Sequence, residues 1–254
     1  MSRNVLMSLC AVALLTVSAF GQTADELLEK NLKAMGGKDK LKALQSVRMT
    51  GTMKMGPMEA PFVITKARPS GMRFDFTIQG LTGSQGYDGT TGWMLMPFSG
   101  NKDPQKMTDE MLKDVRADAD FDGPMFDYKA KGNKVEYVGK EDLEGTPAFK
   151  LHVTTKEGKE TNVYLDGETY LTVRTESTRN VQGQDLEMQT TIGDYKTVDG
   201  LMFPYSMESH VKGKEQMGGQ AINIDKIELN PKVDVAVFAM PAPAAPPKAE
   251  EKKQ

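Results

Sequence analysis

The stretch "VRMTGTMKM", Val47 to Met55, decides how this chain reads. Val47, Met49, Met53 and Met55 fall on one side of an extended backbone. Arg48, Thr50, Thr52 and Lys54 fall on the other. Side chains alternate across a strand, so a period of two marks a sheet with one apolar and one wetted face. "MRFDFTI" repeats it, with Met72, Phe74, Phe76 and Ile78 set against Arg73, Asp75 and Thr77. The pattern runs on through "KVEYVGKEDL" and "LEMQTTIGDYKTVDGLMFP", and the breaks "EGTP", "KEGK", "LDGE" and "VDG" come at hairpin intervals. Such strands build an antiparallel sheet. A meander this long curls, because sheets twist. The expected class is mainly β with helices (α+β).

Two segments break the alternation. "TADELLEKNLKAMGG", Thr23 to Gly37, predicts a helix: Thr23 is an N-cap, acids fill the first turn, and Leu27, Leu28, Leu32 and Met35 recur at helical spacing. "KDKLKALQSV" predicts a second, short one. In "DPQKMTDEMLKDVRADADFDGPMFDY", Met107, Met111, Leu112 and Val115 share a helical face. The expected lid helices are therefore residues 23–46 and about 105–117. Helices laid on the apolar face of the sheet either close it completely, as an ordinary core, or cover it loosely and leave a cavity.

Composition excludes several function classes. Lys+Arg 32 against Asp+Glu 35 gives a net charge of −3, without the basic excess of a nucleic-acid binder. Methionine is abundant at 18, and its flexible thioether suits surfaces that accept ligands of varying shape. Residues 1–21 read as a signal peptide: one positive charge, the apolar run "VLMSLCAVALLTVSAF", then "AFG" as a small-x-small cleavage site. The single cysteine, Cys10, lies inside that run, so the expected mature chain carries no thiol. Residues 22–240 are the expected folded domain. "PAPAAPPKAEEKKQ", 241–254, is the expected Pro/Ala and charged tail.

Signals for catalysis and cofactors are weak. His152 and His210 fall on polar strand faces without metal-ligand spacing. Ser84, in "TGSQG", lacks the first glycine of a nucleophile elbow and reads as a turn residue. "DADFDG", Asp118 to Gly123, opens like a calcium loop, but its twelfth position is Lys129 rather than a bidentate Glu. It reads as a solvated acidic connector. No catalytic set, metal or cofactor is expected.

Several stretches, in order, resemble the outer membrane lipoprotein-sorting proteins of the LolA/LolB-like, periplasmic lipoprotein-carrier superfamily. "ITKARPSGMRFDF" resembles the family's strand, Arg-Pro, next-strand element. "YDGTTGWMLMP" resembles its DG-x-x-x-W hairpin. "VYLDGETYLTVRTE" and "GDYKTVDGLMFP" resemble its late hairpins, and "LNPKVDVAVFAMP" its closing segment. The resemblance implies an open antiparallel β half-barrel under a helical lid. It implies a periplasmic, non-enzymatic carrier of lipid or lipoprotein acyl chains, working with inner- or outer-membrane lipoprotein machinery, without nucleic acid and as a monomer. The alternative is a sensory or scaffold domain that binds an envelope protein partner. In the carriers, an arginine before the proline bonds to the lid. Arg68 matches it here as a lid latch, against the plainer reading of an exposed edge arginine. The expected apolar cavity residues are Met49, Met53, Met55, Phe74, Phe76 and Trp93.

Overall fold

The computed structural model describes residues 22–181, 184–214 and 219–243. The expected signal peptide and residues 244–254 of the expected tail lie outside them. Fifteen strands follow one another: β1 (Ser46–Met55), β2 (Met58–Ala67), β3 (Gly71–Ile78), β4 (Leu81–Tyr87), β5 (Gly92–Leu95), β6 (Gln105–Lys106), β7 (Lys134–Leu143), β8 (Thr146–Thr154), β9 (Glu160–Asp166), β10 (Thr172–Val181), β11 (Gln184–Gly193), β12 (Lys196–Val198), β13 (Leu201–Phe203), β14 (Ser206–Val211) and β15 (Gln220–Leu229). Thirteen form one antiparallel sheet in the order β6-β5-β4-β3-β2-β1-β15-β14-β11-β10-β9-β8-β7, and β12 and β13 make a separate hairpin. The sheet does not close into a barrel. The two halves of the meander meet where β15 returns to pair with β1.

Register fixes the faces. Met49, Ile64, Phe74, Gln85 and Met94 stand opposite one another across five strands, and so share the inner face. The next row, Arg48, Thr65, Arg73, Gly86 and Trp93, belongs to the outer face. The alternation read from Val47–Met55 is therefore correct.

Among the described residues four α-helices accompany these strands: α1 (Ala24–Ala34), α2 (Lys38–Ala43), α3 (Asp109–Ala119) and α4 (Tyr128–Lys131). Thr23 caps α1 in a capping box with Glu26. The second helix stops at Ala43, because Ser46 already belongs to β1. The mid-chain helix starts at Asp109, capped by Thr108, rather than near 105. Gln105 and Lys106 pair with β5 instead. Of its expected apolar face, Val115 is buried but Met111 is 40% exposed. Ala119 completes the packing against Met72 and Tyr87. No helix among the described residues is long and apolar enough to cross a membrane.

Three apolar clusters lie on the inner face. One is formed by Leu27 and Leu28 of α1 on Phe149, Leu151, Val163 and Leu165. Another is α3 on Met72 and Tyr87. The third, between them, centres on Val47, Met53, Phe62, Phe76, Ile224 and Ile227. Around this central cluster many residues stay half-buried, among them Met49, Met55, Ile64, Phe74, Met207 and Ile222. Phe62, Phe74, Phe76 and Phe98 run through it as an aromatic ladder with ring centroids 5.2–5.8 Å apart. Phe98, at the end of the ladder, is 39% exposed.

Candidate functional site

A cavity of about 360 Å³ lies between the sheet and its lid, partly open at one side. Its floor comes from Val47, Met49 and Lys66 of β1 and β2 and from Ile192 of β11. Its roof comes from α1 through Leu28, Asn31, Leu32 and Met35, from the end of α2 through Leu41 and Leu44, and from Phe121 and Asp122 after α3. Tyr195, Phe203 and Pro204 wall one side. The β12–β13 hairpin is tied to the end of α1, where the Met202 amide donates to the Met35 carbonyl at 3.0 Å.

The cavity exists because the lid above it is thin. The short helix α2 has no buried residue. Polar ties hold it down. Lys38 and Lys42 both reach the carboxylate of Asp127, at 2.5 and 2.9 Å. Arg68 supplies the central tie. Its Nε donates to the Leu44 carbonyl at 2.6 Å and its Nη2 to the Leu41 carbonyl at 3.2 Å. Its two terminal nitrogens grip both oxygens of Asp122, each at 2.6 Å. The guanidinium also lies 4.6 Å from the centre of the Phe121 ring. A planar fork of five donors is suited to two carbonyls and one carboxylate together. The hydrogen bond with Asp122 raises the Arg68 pKa further, so the fork stays charged.

The acidic connector is thus more than a solvated link. Arg68 holds Asp122, Lys131 holds both oxygens of Asp120 at 2.6 Å, and Lys66 donates to the carbonyl of Asp118. Lys129, which occupies the twelfth place of the calcium pattern, pairs with Asp25 of α1 at 2.7 Å. Among the described residues no group of three or more His, Cys, Asp or Glu side chains is placed to hold a metal ion.

The polar groups of the cavity are few. The Asn31 amide donates to the Tyr170 carbonyl at 2.7 Å. The Tyr195 hydroxyl donates to the Thr172 carbonyl at 2.8 Å, and burial pushes its pKa up to about 12, so it remains a neutral donor. Burial pushes the Lys66 pKa down, against the pull of Asp118 and Asp120.

Of the residues expected from sequence, Met49 lines the cavity. Met53, Met55, Phe74 and Phe76 share its face and belong to the central cluster, farther along the trough and outside the cavity. Arg68 sits where the two lid elements meet. Trp93 departs from expectation. It is fully buried on the outer face, and its Nε1 donates to the Phe238 carbonyl at 2.7 Å. The closing segment crosses that face, and the indole needs the bare backbone of Gly86 beneath it. Gly89, with φ of +98°, makes the preceding turn. Gly92 lies in β5, where a Cβ would meet Leu112 at 2.7 Å. Ser84 also departs. It lies inside β4, buried, with its hydroxyl donating to Asp75 at 2.5 Å, and the turn falls earlier at Gln79–Gly80.

The sequence reading missed Lys66, although the alternation of "FVITKA" puts it on the apolar face with Phe62 and Ile64. It also missed Phe121 and Asp122, from an irregular connector, and Tyr195 and Phe203, from the β12–β13 hairpin whose strands have three residues each.

No family model matches the chain, and no curated protein does. Solved structures do. A LolA superfamily protein of Nitrosomonas europaea superposes with a TM-score of 0.59 at 12% identity, covering 86% of this chain and 98% of its own. A DUF1329 family protein of Desulfovibrio piger gives 0.57 at 11%, covering 85% and 96%. A putative outer membrane lipoprotein-sorting protein domain of Vibrio parahaemolyticus gives 0.53 at 15%, covering 83% and 97%. The chain shares their fold, as its sequence motifs led one to expect.

Proposed function

We propose that this protein is a non-catalytic binding protein of the periplasm that carries lipid or lipoprotein acyl chains in its cavity. The observation that carries this reading is the unfilled space itself. About 360 Å³ remains between an apolar sheet face and a lid held by polar ties. That lies within the ~300–1,000 Å³ range of small-molecule sites. Leu28, Leu32, Met35, Met49, Phe121 and Phe203 would enclose the innermost part of a chain. Met55 and Phe74 would take its continuation along the half-buried trough, with the buried Met53 and Phe76 beneath them. Each methylene withdrawn from water there contributes about 0.8 kcal/mol. A flexible Met-rich wall tolerates chains of different shape. Arg68 would act as the latch, since its bonds join α2 to the connector after α3 and must loosen for the roof to rise. The shared fold with a putative lipoprotein-sorting domain favours the same reading.

Native mass spectrometry of protein purified from its own envelope tests it, with displacement of a hydrophobic dye as the second measurement. The expected result is a co-purifying lipid mass and dye displacement by long-chain amphiphiles. A clean apo mass together with no displacement would remove the carrier reading. Capture of one protein partner by that apo form would favour a scaffold.

A further inference from the structure

We infer that the cavity prefers an anionic amphiphile, a hydrocarbon chain ending in a carboxylate or phosphate, and that Lys66 is the residue that selects it. The inference rests on the cavity reading above and names the chemistry of its ligand.

The argument starts from position. Lys66 points from β2 onto the apolar face, in register with Val47 and Met72, and lines the cavity floor. A lysine in such a place has two ordinary reasons to exist. One is an ion pair, and no ion pair joins Lys66 to a described carboxylate. The other is a helix C-terminal carbonyl, and Lys66 has one in the Asp118 carbonyl of α3. An ammonium carries three donors, and that bond uses one of them. Among the described residues no acceptor meets the other two.

The carboxylates that act on Lys66, those of Asp118 and Asp120, attract it without forming an ion pair with it. Asp120 is held by Lys131, and Asp122 by Arg68. Asp118 is exposed to solvent, and Lys66 meets its carbonyl rather than its carboxylate. The remaining polar groups at the cavity, the Asn31 amide and the Tyr195 hydroxyl, already donate to the backbone carbonyls of Tyr170 and Thr172. Lys66 is therefore the cationic donor of the cavity with spare capacity, set among apolar side chains. Two parts of the site call for a ligand: apolar walls for a chain, and, in a partly open cavity, spare donors whose hydrogen bond to an anion is about twice as strong as one to a neutral group. An acyl chain ending in an anion answers both, with its tail toward Leu28, Leu32 and Met49 and its head at Nζ. A chain ending in a hydroxyl answers only the first part.

Three ligands of equal chain length separate the possibilities: dodecanoate, dodecyl phosphate and dodecanol, each displacing a neutral hydrophobic dye at pH 7. The full-length mature protein is expected to bind at least one of the two anions about ten- to a hundredfold more tightly than dodecanol, the ratio that such a bond implies. Whichever anion binds better identifies a fatty-acid-like or a phosphate head. Lys66→Met, which keeps length and apolar bulk, should erase the preference and leave dodecanol binding within about twofold. Lys66→Arg should restore most of it. Equal binding of all three by the native protein would overturn the selective role of Lys66 while leaving the cavity reading intact. Binding of none would overturn the cavity reading itself. A preference that survives in Lys66→Met would also overturn the inference. Retained dodecanol binding shows that each variant is folded.

Discussion

The two ends of the roof treat the same kind of surface in opposite ways. Over β7–β9, the helix α1 presses Leu27 and Leu28 onto Phe149, Leu151, Val163 and Leu165, and Leu27, Leu151 and Leu165 are wholly buried. Over β1, β2 and β11, the other flank of α1 is joined only by the six-residue α2, which has no buried side chain, and by the connector after α3, and a cavity remains. Strand alternation is equally clear in both regions. What differs is the packing of the cover: the buried leucines of α1 seal one region, while a short helix held by polar ties completes the roof of the other. An apolar strand face therefore predicts burial, but only the length and face of its cover say whether the space is filled.

The sharpest way to break this contrast is to open the sealed side. Leu151→Ala should cost about 2–5 kcal/mol of stability, because its packed surroundings collapse little into the space left behind. Urea unfolding checks it, and a cost below that of Met55→Ala would contradict the division into sealed and open halves. Trp93→Phe removes the bond to the Phe238 carbonyl and part of the outer-face packing, for about 1–3 kcal/mol. Ligand affinity should not move, since the indole lies on the face away from the cavity. Arg68→Leu strips Asp122 and two carbonyls of their partner; the pair keeps some solvent contact, so the loss is about 1–2 kcal/mol. Hydrogen exchange should rise in α2 and the connector and stay unchanged in α1, and the bound dye should leave faster. Met55→Ala should cost about 1 kcal/mol or less, because its site is already partly open.

The smallest expected effect is a change of pH on the outer face. Burial pushes the Glu176 carboxyl up, but hydrogen bonds from Tyr164 and Lys212 outweigh it and leave its pKa below the ordinary value. A depressed folded pKa gives stability that is present above the unfolded value of about 4.3 and is lost as pH falls through the folded one. Glu176→Gln should therefore make the acid limb of the stability profile shallower. An unchanged limb would assign acid sensitivity to other carboxylates.

The class of fold was legible because alternation survives in nearly every strand, from Val47–Met55 to Thr172–Val181. The capped helix at Thr23 was legible for the same reason, a local code read locally. The sealed or open state of each region was not. It depends on what the chain between α1 and β1 places over the sheet, and the end of a helix as short as α2 is below what propensity resolves. The glycines of β4 were misleading company. Ser84, between Gly83 and Gly86, read as a turn residue, whereas a Cβ at Gly83 would meet the Phe98 ring at 2.7 Å and one at Gly86 would collide with Trp93. These glycines make room for aromatic rings that come from later in the chain. The side on which Trp93 is buried was hidden likewise, since its partner Phe238 lies 145 residues away. Arg68 was found through its motif, but its acidic partner came from a segment that resembled an ion loop.

A sheet that stays unclosed ends in two borders, each a row of backbone amides and carbonyls that another chain could join. Here one border is the two-residue β6, too short to template much pairing. The other, β7, is long, but it carries Lys134, Glu136, Lys140, Glu141 and Asp142, and its register shifts between Tyr137 and Gly139. Charge and a bulge both discourage strand addition. The chain can thus leave its greasy interior ajar without offering its flanks as a seed for aggregation.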